Sequence, residues 1–123
     1  MLWRDDFCRI VRIPGDDYPG LCRVVLNRHV EEMTDLDPEG RERVMRAVFA
    51  TETALRELFR PAKMNLASFG NKVRHVHWHV IPREEDDPHF PEPSWGVPQR
   101  PAPAGRPTIT DAAIASRLAT LLD

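Results

Sequence analysis

The sequence is poor in several features on which specialised small proteins are built. It has two cysteines, Cys8 and Cys22, in segments that read as strands. This excludes a disulfide framework and a four-thiolate zinc site, and fits two small buried hydrophobes. No apolar run approaches the roughly 18 residues of a membrane helix, so no membrane partner is expected. Met1 to Asp6 has no apolar stretch behind a basic cluster, which speaks against a secretory signal and for a reducing cytoplasm. A positive excess is missing too: the formal charge is −2 and the pI about 6.2, so no nucleic-acid partner is expected and any anion must be held by a local site. Neither the GxxxxGK[ST] loop nor the GxGxxG fingerprint occurs, which excludes the common backbone cradles for phosphate. What is present, 41% hydrophobic and 29% charged residues in a 123-residue chain, is sufficient for a single globular domain over residues 1–123.

Residues 7–13 alternate and are rich in β-branched side chains, Pro14-Gly15-Asp16-Asp17 breaks the run, and residues 21–26 are apolar apart from Arg23. These features predict a hairpin. Asp37 followed by Pro38 is a helix start, and Val44, Val48, Thr51, Leu55 and Leu58 recur at helical spacing up to Pro61. Arg41, Arg43, Arg46, Glu52, Arg56 and Glu57 then form a solvated face of mixed sign. Residues 63–69 and 73–81 read as two further strands joined by Gly70-Asn71-Lys72. Seven of the twelve prolines lie between Pro88 and Pro107, which predicts an extended arm that must lie on something to be ordered. Thr108 to Asp111 has the spacing of a capping box, and Ile114, Ala115, Leu118, Leu121 and Leu122 form the stripe of a short C-terminal helix over 108–123.

The chemistry is concentrated in His75-Val76-His77-Trp78-His79-Val80-Ile81. In a strand, residues i, i+2 and i+4 share a face, so three imidazoles are expected to point one way while Val76, Trp78 and Val80 anchor the strand. Burying three rings for packing alone is costly without polar partners. Two functional readings remain. A metal site is one, since His-x-His on a strand can chelate; the carboxylate ligand it needs is poorly supplied, because Glu84 and Glu85 lie beyond Pro82. The other is nucleophilic catalysis at phosphorus, for which histidine offers a neutral ring near neutral pH with no metal or cofactor required. Flanking imidazoles can then stabilise phosphoryl oxygens and protonate a leaving group.

The segment from His75 to Ile81 resembles the signature of the histidine triad family, His-φ-His-φ-His-φ-φ with φ apolar. Pro19-Gly20, Asp35-Leu36, Asn65 and Gly70 sit where that family places such residues, and the resemblance spans roughly residues 7–96. It implies an α+β fold: a mostly antiparallel five-stranded sheet, one long helix, a short C-terminal helix, and pairing as a homodimer. The fifth strand and the dimer come from the resemblance alone. It further implies that His77 is the nucleophile, with its other ring nitrogen held by a backbone carbonyl, and that His75 and His79 support the phosphate and leaving group. Asn65 is implied near the nucleotide, and Asn71 corresponds to a glutamine that contacts phosphate oxygens beside Gly70. His29 corresponds to a histidine of the nucleoside phosphoramidate branch, and Trp95 to a tryptophan that borders the pocket.

Two positions depart from the family's pattern. Lys72 stands where many members carry a serine or threonine, which brings charge but no hydroxyl. The residue that grips the ribose is absent from its usual place in Arg12-Ile13-Pro14, with Asp16 and Asp17 the nearest substitutes. The function implied is hydrolysis or nucleotidyl transfer at the α-phosphorus of a nucleotide with adenine or another purine base. Dinucleoside polyphosphates and nucleoside phosphoramidates are the candidate substrates. The alternative is a non-catalytic nucleotide-binding sensor, and less so a metal-binding protein.

Overall fold

The computed structural model describes all 123 residues. Five strands, β1 (Trp3–Arg4), β2 (Cys8–Arg12), β3 (Cys22–Leu26), β4 (Lys63–Ala67) and β5 (His77–Arg83), form one sheet in the order β1-β2-β3-β5-β4. Every neighbouring pair is antiparallel. Helices α1 (Pro38–Phe59) and α2 (Asp111–Leu122) lie on one face, and a 3-10 turn at Met33–Asp35 leads into α1. The architecture is the α+β arrangement expected, with the fifth strand at the N-terminus.

The hydrophobic pattern sets which face is which. Cys8, Ile10, Cys22, Val24, Leu26, Met64 and Val80 alternate along their strands and are buried together with Val44, Val48 and Leu55 of α1 and Ile114 and Leu118 of α2. Both cysteines are free and fully enclosed, and burial pushes each thiol up to about 12. The Asp37 carboxylate accepts from the Gly40 N–H (2.7 Å), which caps α1, and the left-handed Arg60 (φ 49°) ends it before Pro61. The face of α1 expected to be merely solvated is partly tied down: Arg43 pairs with Asp5 and Asp6, and Glu57 with Arg117 of α2.

Three elements differ in their bounds from the sequence expectation. The strand predicted over 73–81 begins only at His77 and runs on to Arg83, and β4 stops at Ala67. Residues 68–76 are therefore a loop rather than a three-residue connection. Its course is set by Val76, whose N–H donates to the Val30 carbonyl (2.7 Å), and by the turn that joins the His75 N–H to the Val73 carbonyl (2.8 Å). The C-terminal helix is capped by Thr110 rather than Thr108: the Thr110 hydroxyl accepts from the Ala113 N–H. Arg12 reaches the Ile109 carbonyl and Asp111 (2.8 Å each), which fixes where that helix starts.

Leu55→Ala should lower stability by about 2–5 kcal/mol, because a wholly enclosed side chain leaves a cavity between α1 and the sheet. Urea unfolding would show it as a lower midpoint with an unchanged slope.

Candidate active site

The β3–β5 ladder places Cys22 across from Val80, Arg23 from His79, Val24 from Trp78 and Val25 from His77. Trp78 and Val80 belong to the helix side of the sheet, so His77 and His79 project from the opposite side. Their rings meet edge to face, with centroids 5.3 Å apart.

His77 Nδ1 lies 2.6 Å from the His75 backbone carbonyl. A carbonyl can only accept, so Nδ1 carries the proton and Nε2 keeps its lone pair. His77 is half-buried, and this contact fixes the ring's tautomer.

His75 does not join the other two rings. It precedes β5, its Nε2 donates to the Leu26 carbonyl (2.6 Å), and its Nδ1 accepts from the Val30 N–H (3.2 Å). With both ring nitrogens occupied by backbone, His75 has none left for a phosphate. The expectation of three rings around one anion therefore gives way to two, with the third ring holding loop 68–76 to the end of β3. His29 is exposed and stacks on His75 at 5.4 Å with 13° between planes, so it extends this support.

His79 is half-buried. Burial, then the Arg23 guanidinium across the ladder, then His77 on its own strand all disfavour its charged form and bring its pKa down to about 4. On the β4 side its cross-strand partner is the uncharged Ala67, and Phe69 covers it edge-on at 5.7 Å. Trp95, 59% exposed, packs against Phe69 at 4.5 Å and so joins the same aromatic wall from within the same chain. In sequence Phe69 is a lone aromatic at a strand end, which marks an ordinary core candidate and carries no functional signal.

The remaining residues are spread out. Asn65 shares the histidine face on β4, but its carbonyl oxygen accepts from Arg83 Nη1 (2.8 Å). Gly70 adopts a left-handed conformation (φ 80°) that favours glycine, and Asn71 and Lys72 follow it, exposed and without side-chain hydrogen bonds. Asp16 and Asp17 line a cavity with Phe59, Pro82 and Pro107, away from the histidine face. No group of three or more histidine, cysteine or acidic side chains is arranged to hold a metal ion.

A buried pair unnoticed in the sequence organises the neighbourhood. Arg83, the last residue of β5, donates from Nε to Asp87 (2.7 Å), from Nη2 to Asp87 (3.0 Å) and from Nη2 to the Glu92 carbonyl (2.7 Å). Asp87 also accepts from the backbone N–H groups of Glu84, His89 and Phe90 and from the Tyr18 hydroxyl. Burial alone would raise the Asp87 carboxyl, but the Arg83 and backbone hydrogen bonds outweigh it and bring it to about 2. This knot, with Arg100 donating to the Asp87 carbonyl (2.6 Å), is what the proline-rich arm lies on. The spacing of four between Arg83 and Asp87 was the available signal, but it gains meaning only when both are buried.

A five-stranded antiparallel sheet backed by a long helix, with paired histidines on its free face, is the histidine triad type of protein. The chain belongs to the HIT domain family, whose model matches residues 1–86. A histidine triad protein from Marinobacter aquaeolei VT8 superposes with a TM-score of 0.74 at 26% identity, covering 98% of this chain and 86% of that one. One from Bradyrhizobium japonicum gives 0.73 at 26%, covering 98% and 85%. One from Sinorhizobium meliloti 1021 gives 0.72 at 25%, covering 94% and 84%. No curated protein matches the chain. No helix is long and apolar enough to cross a membrane.

Two pH effects follow. The His79 ring protons should titrate by NMR with a midpoint near 4, and a midpoint at the ordinary value near 6.5 would contradict the surroundings described. Since its folded pKa is depressed, His79 favours folding above about pH 6.5, and that contribution is lost as pH falls toward 4. Asp87 contributes stability present above about pH 4 and lost as pH falls toward 2. Asp87→Asn leaves the Arg83 guanidinium buried against a neutral partner and should cost about 3 kcal/mol at pH 7, measured by urea unfolding.

Proposed function

We propose that the chain is a hydrolase or nucleotidyl transferase acting at the α-phosphorus of a nucleotide, with His77 as nucleophile. The observation that carries this reading is the contact between His77 Nδ1 and the His75 carbonyl, which leaves Nε2 with its lone pair on the open face of the sheet. In the first step Nε2 forms a bond to phosphorus while the bond from phosphorus to the leaving oxygen or nitrogen breaks. The leaving group departs with a proton taken from solvent water, and the neutral His79 ring, next along the same face, is placed to donate an N–H hydrogen bond to it. In the second step water attacks the phosphorus, the N–P bond breaks, and the nucleoside monophosphate is released; another acceptor in place of water gives transfer.

In this reading His75 and His29 are positioning residues, since they hold the carbonyl on which the His77 tautomer depends. Asn71 and Lys72, presented by the turn at Gly70, are the donors assigned to the phosphate oxygens. Phe69 and Trp95 form the wall beside the leaving group, and Asn65 acts through Arg83 to hold that side. The exposed Phe49 on α1 gives the homodimer expected of the family an apolar contact. The whole chain, 1–123, is proposed to act as one unit in the cytoplasm.

Mixing the protein with adenosine phosphoramidate or diadenosine polyphosphate should release AMP. Rapid alkaline quench and intact-protein mass spectrometry should trap one nucleotidyl group on the wild type and none on His77→Ala. Turnover should fall by on the order of a thousandfold or more in that variant. AMP binding with no turnover and no trapped adduct would replace the enzyme with a nucleotide sensor.

A further inference from the structure

The sheet face bearing His77 and His79 has an unbalanced charge. The five strands contain no aspartate or glutamate, yet Arg4, Arg9 and Arg23 rise from the face opposite the helices. Arg4 and Arg9 stand directly across from each other, where like charges repel. None of the three forms an ion pair, although Arg12, Arg43, Arg83, Arg106 and Arg117 all do. Carboxylates are not scarce, with 19 against 17 lysines and arginines; the one tied to this face, Asp87 at the far end of β5, is taken up by Arg83 and leaves these three arginines unpaired.

Arg9 donates only to uncharged groups, the Leu26 carbonyl (3.3 Å) and the Asn27 side chain (3.2 Å). Arg23 is half-buried, and its Nε is enclosed with no hydrogen-bond partner. An arginine that gives up water without gaining a counter-charge destabilises the free protein, and a bound anion removes that cost. The ladder puts both residues next to the histidines. Val25 is across from His77, Arg9 is across from Val25 on the other side, and Arg23 is across from His79. From strand spacing, both arginine Cα atoms lie about 8–10 Å from that of His77 on the same face.

We infer that Arg23 and Arg9 form a second anion subsite on the open sheet face beside His77, which takes a further phosphate of the ligand, with Arg4 extending it toward the sheet edge. A ligand with one phosphate fills only the position before His77, whereas an oligophosphate chain also neutralises the arginines. The inference rests on the proposal that this face is the ligand site, but not on the covalent step at His77.

Calorimetric titration of the intact protein with inorganic phosphate, pyrophosphate and tripolyphosphate tests it. Wild-type affinity should rise by about tenfold with each added phosphate, the size of one charge-assisted contact. Arg23→Gln and Arg9→Gln should each lose about tenfold for tripolyphosphate and little for inorganic phosphate. Arg23→Lys should recover part of that loss, and Arg56→Gln on α1 should change neither. Thermal melting of Arg23→Gln should show no loss of stability, since its Nε has no partner to lose. A flat wild-type series, an equal loss for all three anions in Arg23→Gln, or an equal effect from Arg56→Gln would overturn the subsite. His77→Ala should keep the graded series, so a protein that grades the anions but never forms the adduct loses the enzymatic reading alone. One that forms the adduct with a flat series loses the subsite alone.

Discussion

The pairing of β5 with β3 is the constraint from which the rest follows. Val80 is wholly buried across from Cys22, and Trp78 packs on the same core across from Val24. A slip of one residue would turn Val80 out to solvent and His77 and His79 into the hydrophobic core, so the core itself holds the two rings on the open face. The apolar residues of the triad segment thus determine where its polar residues stand.

The backbone then does what the side chains alone cannot. The His75 carbonyl selects the His77 tautomer, and that carbonyl is held in place because the His75 ring is tied on both sides to the ends of β3 and its following loop. Three histidines that look equivalent in one dimension are divided into one whose second nitrogen is free, one kept neutral beside a cation, and one that is structural. The division comes from where β5 begins: residues within the ladder alternate across the sheet, whereas His75, just outside it, is free to turn toward Leu26 and Val30.

The Arg83–Asp87 pair plays the corresponding part at the far end of β5. A buried ion pair contributes little to stability by itself, but this one has its hydrogen-bonding capacity filled by Asn65, Tyr18 and three backbone N–H groups. It gives a proline-rich segment that cannot make its own ladder something to bond to. That anchoring brings Trp95 back against Phe69 and so gives His79 its aromatic border.

Much of this was legible in one dimension because it depends on local chemistry. Alternation in 7–13, the apolar run in 21–26, the Asp37-Pro38 start, the 3.6-residue spacing up to Leu58 and the His-φ-His pattern all report on residues a few positions apart, where periodicity and capping are decided. What tertiary structure alone decided involves partners far apart in the chain. The His75 ring meets Leu26, 49 residues away, and Tyr18 meets Asp87, 69 residues away. Arg23 looks like an ordinary polar position in an apolar strand until the ladder sets it across from His79 with no carboxylate paired to it. Spacing along a chain encodes which way a side chain points, but whether a charge finds a partner depends on which strands become neighbours, and that is settled only when the core closes.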